Sequence, residues 1–383
     1  MESAAQRAER ILSKTFGGPI HLGEAQDLGG SARSKVLRFS VLEGPDTAPR
    51  SIIVKHINSE TFDPHSTNDA TWYFFNDWAS LQFLDQVTSS PLAPRLYGGE
   101  RETGLLVMED IQQITRLDHL LLGDDPNAAE AGLMAYAKLH GHLHALSINH
   151  QNEYLRIREY LGPTKSADDF YTFLWLPTTL EEVARLLDVP VQPGASHELE
   201  RLITALTNPG PFLSFVQSDA APDNILFDGE RWRLIDFEGA TYMHALLEGA
   251  YIHMPFPTCW CVYRIPDPLV QRLEDRYRVE LARACPAASD DTLFKHSMAE
   301  ACITWVLFFH KWICSLEKLL IQDQNIVALS DRQRFLLYME NATRSLEYAN
   351  HLPALGNTLR LCAKRLTQLW PEAVDPPYYP AFR

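Results

Sequence analysis

Cysteine is scarce and one-sided. The 383-residue chain has six, at Cys259, Cys261, Cys285, Cys302, Cys314 and Cys362, and its N-terminal half has none. No two stand as Cys-x-x-Cys. A disulfide framework and a cysteine zinc site are therefore unsupported, and the thiols are expected to be reduced and buried as small hydrophobes. Positive charge is short as well, with 34 Lys and Arg against 49 Asp and Glu, a net charge of -15. A surface of that sign repels phosphate backbones, which argues against a non-specific nucleic-acid binder. Long apolar runs are missing. The most apolar stretch, Ala301 to Ile313, is too short for a bilayer and holds His310 and Lys311. The first ten residues are polar and of mixed charge, unlike the apolar core of a secretory leader. The expected setting is cytoplasmic, with no membrane and no nucleic-acid partner. Two motifs are absent too. Without Gly-x-Ser-x-Gly a serine hydrolase has no support. Without Gly-x-x-x-x-Gly-Lys-Ser/Thr a Walker-type phosphate loop is excluded.

What remains is an ordinary globular composition, 46% hydrophobic and 22% charged. The length suits one large domain or two to three smaller ones. Residues 18 to 57 read as β: Ile20 to Leu22, then Lys35 to Val41 with alternating faces, then Ser51 to Lys55. Asp69 to Gln86 has helical spacing through Trp72, Phe75, Ala79 and Phe83. Gly104 to Met108 reads as a buried strand. Beyond residue 110 the texture is helical, with helices expected over 128–146, 166–188 and 196–206 and from 267 to 370. Breaks are expected at Pro286, near Ser330 and at Pro353, and the tail from Asp375 to Pro380 reads as extended. Short strands interrupt at Phe212 to Val216 and on either side of Asp228-Gly229, a hairpin signal between apolar runs. This order predicts an α+β class: a small β-rich N-terminal lobe over 1–110 and a large, mostly helical C-terminal lobe over 111–383.

The chemistry concentrates in Gln217-Ser218-Asp219-Ala220-Ala221-Pro222-Asp223-Asn224-Ile225 and in Leu234-Ile235-Asp236-Phe237-Glu238. Phosphoryl transfer from a nucleotide needs hard oxygen ligands for magnesium, a carboxylate facing the acceptor hydroxyl and cations on the phosphates. Asp219 can serve as that carboxylate. Asn224 and Asp236, brought together by the Asp228-Gly229 hairpin, can serve as the metal ligands. Any one of these residues alone is also what a turn or a helix cap would use; it is the ordered set between apolar strands that points to chemistry.

The set resembles the signature of the aminoglycoside phosphotransferase and choline kinase family, small-molecule kinases with a protein-kinase-like bilobal fold. The resemblance covers roughly residues 20 to 260. It implies Asp219 as the catalytic aspartate and Asn224 and Asp236 as magnesium ligands. Gly29, Gly30 and Ser31 resemble the glycine-containing loop over the phosphates, where the lack of a Cβ lets backbone amides approach. Lys55 resembles the lysine on the α- and β-phosphates. Asp77 stands where the family usually has a glutamate paired with that lysine. Met108 and Glu109 fall on the strand leading to the adenine hinge. The implied cofactors are ATP or GTP and Mg2+, the nucleotide lying between the lobes. The implied partner is a small-molecule hydroxyl acceptor, of aminoglycoside, choline or sugar type.

Two positions depart from the pattern. Gln217 replaces the family's histidine two residues before the aspartate, and Asp77 is one methylene shorter than glutamate. Lys55 and Asp77 would meet only if the helix sits closer or a water bridges them. These departures keep a second reading open, a nucleotide-binding pseudokinase or scaffold. A protein kinase is disfavoured, since Glu238 stands where Asp-Phe-Gly would have its glycine and no Ala-Pro-Glu follows. His140 and His144 share a helical face as a metal pair might, but no third ligand is apparent. Trp260, Trp305, Trp312, Tyr251 and Tyr263 could line a pocket or fill a helical core. Glu248, Glu300 and His253 are candidates for acceptor contacts.

Overall fold

The structure is a computed structural model and describes residues 2–31, 33–57, 62–88, 90–112, 114–164, 172–324 and 328–383. The chain forms two compact units. One comprises Met1–Ile114, His150–Ser166 and Leu226–Thr241, the other Thr115–Asn149, Ala167–Ile225 and Tyr242–Arg383. The β-rich segment expected over 1–110 thus forms most of the first unit, which also takes two later pieces of chain, one of them carrying Asp236. The class is α+β, as expected.

In the first unit, β1 (His21–Gly30), β2 (Ser34–Glu43), β3 (Ser51–Ile57), β4 (Leu96–Glu100) and β5 (Leu105–Glu109) form one sheet in the order β1-β2-β3-β5-β4. Every neighbouring pair is antiparallel. The two-residue period of β3 divides its side chains between two faces. Ile52 and Val54 pack with Phe39, Leu105 and Val107 against Ala8 and Leu12. Those last two belong to a helix, Ala4–Phe16, that sequence reasoning did not propose. Its charged residues obscure a narrow apolar stripe, and its start is marked only by a Ser3–Gln6 capping box. Lys55 is of opposite parity. It lies across from Val36 and Leu106 and reaches the helix Asp69–Val87 on the other face.

That helix is buried along much of its length through Phe74, Phe75, Phe83 and Leu84, and Asn68 caps it by accepting from the Thr71 amide at 3.0 Å. A second helix missed from sequence, Gln151–Leu161, lies against it. Arg158 Nε donates to Asn76 Oδ1 at 2.8 Å, and Phe83 meets the Tyr154 ring edge-on at 5.7 Å.

The second unit is built on helices. The one expected over 128–146 runs Pro126–Ser147, beginning earlier because Asp125 caps it and proline suits the first turn. It packs closely on Asp267–Leu281: a Cβ on Gly141 would stand 2.5 Å from the Tyr277 carbonyl oxygen. The helix expected over 166–188 is Leu176–Leu186, with 166–171 outside the described residues. The helix expected over 196–206 is Ala195–Thr207. The C-terminal helices are Asp291–Phe308, Leu316–Ile321, Asp331–Ala349 and Pro353–Leu369, with the breaks where Pro286, Ser330 and Pro353 place them. One further break follows a π-helical turn at Phe309–Ile313, which the apolar run concealed. Tyr251 and Trp305 are core residues, edge to face at 5.1 Å, whereas Trp260 and Trp312 are exposed. All six cysteines are buried and free. Among the described residues no helix is long and apolar enough to cross a membrane.

The core carries a pH dependence. Burial, with a smaller contribution from the charge of His144, holds the His244 imidazole down at about 4. Its Nδ1 accepts the Leu246 amide at the start of a helical turn, so the ring must stay neutral there. The unfolded chain takes up this proton near pH ~6.5. Stability is therefore complete above that value and falls as the pH drops toward 4. At pH 5 the expected loss from this ring alone is about 2 kcal/mol, and His140, lowered by burial as well, adds to it. Thermal midpoints between pH 7 and pH 5 check this, and His244→Asn, which keeps the acceptor, should flatten the slope.

Candidate active site

Two clusters hold the residues singled out from sequence, one in each unit. The first surrounds Lys55. Its Nζ lies 2.8 Å from Asp77 Oδ2, 3.0 Å from Asp236 Oδ1 and 3.3 Å from Glu238 Oε2. The Lys55–Asp77 contact is direct, so the shorter side chain does not prevent the pair. Asp77 Oδ1 also accepts the Phe237 amide at 3.3 Å, and the neighbouring Asn76 donates to the Ala240 carbonyl at 3.0 Å. Two consecutive helical residues therefore fix the Asp236-Phe237-Glu238 stretch. Asp236 has φ +62°, a left-handed conformation that costs a non-glycine residue and here turns its carboxylate to Lys55. Arg33 completes the cluster. It pairs with Glu238 and lies 4.3 Å over the Tyr73 ring.

The charges of this cluster do not balance. Three carboxylates face two cations. Burial pushes the Lys55 ammonium down, but Asp77, Asp236 and Glu238 together outweigh it and raise its pKa. The Asp77 carboxyl is raised by burial, with Asp236 and Glu238 adding to this against Lys55.

The second cluster is the loop after the strand Leu213–Val216. Thr258 Oγ donates to Asp219 Oδ1 at 2.6 Å. Asn224 Nδ2 donates to the Asp219 carbonyl at 3.0 Å and to its Oδ2 at 3.2 Å. The amide nitrogen of Asn224 being used inward leaves its carbonyl oxygen as the free ligand atom. Ser218 has φ +72°, and a buried carboxylate holds this strained turn. Glu248 Oε1 accepts the Ser218 amide at 2.9 Å. Its Oε2 accepts the Gln217 amide at 3.3 Å and meets His144 Nε2 at 2.8 Å. His144 Nδ1 in turn meets the Tyr277 hydroxyl at 2.8 Å. Burial alone would raise the Glu248 carboxyl. The His144 hydrogen bond, the histidine charges and the Gln217 amide bring it below its usual value instead. Gln217 is fully buried, its side chain 3.3 Å from His140 Nε2. His140 and His144 are thus core supports of this loop.

Glu248→Gln keeps the shape but sets an amide nitrogen against donors. The expected cost is about 2–3 kcal/mol, read by urea unfolding. A change below about 0.5 kcal/mol would show that the carboxylate is not what holds the turn.

The remaining positions are less committed to chemistry. Gly29 and Gly30 have φ +93° and +143°, and a Cβ on Gly30 would stand 2.2 Å from the Ser34 carbonyl oxygen. Their hairpin bonds inward: the Gly29 amide donates to Asp27 Oδ1 and the Ser31 amide to the Ser34 carbonyl. Met108 is buried in β5. The Glu109 carboxylate pairs with Arg233 and accepts the Arg95 amide. Glu300 pairs with His351 and His253 with Glu274, at 2.8 and 2.6 Å. Sequence reasoning missed Arg33, Thr258 and the loop-holding role of Glu248. Glu238 belongs to the Asp-Phe-Glu signature, but its pairing with Lys55 and Arg33 is not part of that pattern. No local pattern marks any of these roles.

Residues 61–286 match the phosphotransferase enzyme family (APH), and the chain belongs to that family. No curated protein matches the sequence. Among solved structures, it is similar to a choline/ethanolamine kinase family protein from Mesorhizobium loti, with 14% identity, 93% of this chain and 100% of the other covered, and a TM-score of 0.42. A choline kinase from Streptococcus pneumoniae gives 13% identity, 89% and 99% coverage and a TM-score of 0.41. An ADP-bound aminoglycoside phosphotransferase gives 12%, 89% and 96%, and 0.43. The family assignment rests on the sequence match over residues 61–286.

Proposed function

We propose that this phosphotransferase moves the γ-phosphate of ATP or GTP onto a hydroxyl of a small molecule. The observation that carries this reading is the fixation of Asp219, whose two carboxylate oxygens are held by Thr258 and Asn224 on a turn anchored by Glu248. A loose phosphoryl-transfer transition state gains mainly from positioning, and a carboxylate of fixed orientation serves that need.

The donor set suits a nucleotide with a divalent ion. The Lys55 cluster has one more carboxylate than it has cations, and the Asp236 side chain is 39% exposed. Magnesium takes one or two protein oxygens and draws the rest from phosphates and water. A cage of three protein side chains is therefore not required, and none occurs among the described residues. Asp236 in the first cluster and the Asn224 carbonyl oxygen in the second are the proposed metal ligands, and a bound ion would neutralise charge on the phosphates. Lys55 and Arg33 would bind phosphate oxygens. Contacts from the glycine hairpin require its inward bonds to open. Asp219 would orient the acceptor hydroxyl and receive its proton late. The exposed Trp260 indole donates to Asp223 Oδ2 at 3.3 Å. This aromatic face beside a carboxylate favours an acceptor that carries a cation.

The test incubates the protein with Mg2+, ATP or GTP and a panel of alcohols and amino alcohols, and reads phosphorylated product by mass spectrometry. Product that depends on an acceptor is expected. Nucleotide binding with no product from any acceptor would favour the pseudokinase reading instead.

A further inference from the structure

Thr258 lies in Pro255-Phe256-Pro257-Thr258-Cys259-Trp260, where no sequence motif marks Thr258 itself. Yet its hydroxyl meets Asp219 Oδ1 at 2.6 Å. A carboxylate only accepts, so the single hydroxyl proton of Thr258 points to Asp219. Tyr251 lies behind it, its hydroxyl 3.2 Å from Thr258 Oγ and 3.3 Å from the Ser218 carbonyl. Since Thr258 has used its proton, Tyr251 is the donor to either oxygen.

The backbone around Thr258 is held from the opposite end of the chain. Arg334 donates to the carbonyls of Pro257 and Cys259 at 3.1 and 3.3 Å. The Tyr338 hydroxyl donates to the Pro255 carbonyl at 3.1 Å, and Asn341 Nδ2 to the His253 carbonyl at 2.7 Å. Positions 334, 338 and 341 are i, i+4 and i+7 of the helix Asp331–Ala349 and so lie on one face. Arg334 is itself buried, paired with Asp331 at 3.3 Å and placed 4.9 Å over the Phe309 ring.

We propose that Thr258 is the positioning residue of the Asp219 carboxylate, and that the helix Asp331–Ala349 is the rack that keeps it in place. Asn224 fixes Oδ2 from within the loop and Thr258 fixes Oδ1 from outside it. Together they set the torsion of the carboxylate before any acceptor arrives. This rests on the phosphotransfer reading for its consequence in catalysis, though the hold on the loop can be measured without it.

The experiment compares Thr258→Val, which keeps the shape and removes the donor, with Thr258→Ser, which restores the donor. Hydrogen exchange of the amides of residues 217–224 is read first. In the valine variant it should be about fivefold faster and in the serine variant close to the parent. Steady-state transfer is read next. The valine variant should lose about 10–100-fold in kcat with the KM for nucleotide within about twofold, and serine should recover most of it. Parental exchange and parental kcat in the valine variant would overturn the proposal, as would equal losses in both variants. If valine does not fold, Thr258→Ala carries the same expectations. A parent with no transferase activity would sink the phosphotransfer reading, while the exchange result would still decide whether Thr258 holds the loop.

Discussion

Asp219→Asn is expected to lower acceptor-dependent phosphate transfer by about 10²–10⁴-fold while nucleotide affinity stays within a few-fold of the parent. The substitution is nearly isosteric, and the loop's backbone hold through Glu248 does not involve the Asp219 side chain. What changes is the charge and one acceptor oxygen. The Asn224 amide keeps the remaining oxygen, and the Thr258 hydroxyl, which can also accept, turns to receive the new amide N–H, so the fold should be unaffected and the thermal midpoint should hold. Loss of nucleotide binding along with transfer would mean that the residue acts on the nucleotide rather than on the acceptor.

The second large effect is expected at Lys55. Its ammonium is the shared partner of three carboxylates, and its nearest, Asp77, is buried. Lys55→Met keeps the stem and removes the charge, which leaves Asp77 buried without its ion partner at a cost of about 3–5 kcal/mol. Asp236 is too exposed to add much. The loss should depend on pH with a definite sign. A carboxyl whose folded pKa lies above its unfolded one favours the folded state at low pH and opposes it as the pH rises. The Asp77 carboxyl is already raised by burial and would rise further without Lys55. The variant should therefore be least stable near pH 8 and regain stability toward pH 5, against the trend set by His244. Lys55→Met with Asp77→Leu should recover much of the loss by removing the stranded charge. Urea unfolding at both pH values checks all three. A Lys55→Met protein as stable as the parent at pH 8 would contradict the idea of one ammonium neutralising the cluster.

The parts of the site that could be read from sequence are those whose chemistry and geometry lie in one stretch of chain. Asp219 and Asn224 are five residues apart, and a loop between two apolar strands suffices to bring them together. Lys55 and Asp77 are legible only through the family resemblance, since a lysine in an apolar strand and an aspartate in a helix are, taken alone, ordinary surface residues. Arg33 and Glu238 are distant in sequence, and only the packing of the Asp-Phe-Glu stretch on the helix Asp69–Val87 brings them together. Thr258 is harder still, since its position depends on a helix more than seventy residues further on. Glu248, a carboxylate in apolar surroundings, reads from sequence as a candidate acceptor contact. Both its oxygens are instead engaged by the loop and by His144, which a one-dimensional pattern cannot reveal. The helix Ala4–Phe16 does carry a periodic stripe through Ala4, Ala8, Ile11, Leu12 and Phe16, but the segment as a whole is polar and of mixed charge, and that composition hides the stripe.

The most direct test of the account takes a small-molecule extract, Mg2+ and ATP or GTP, and treats it in parallel with the parent protein and with Asp219→Asn. Untargeted mass spectrometry then seeks any compound that gains one phosphoryl group. Such a compound is expected with the parent, none above background with the variant, and undiminished nucleotide binding in both. The same product at the same rate from both proteins would contradict it.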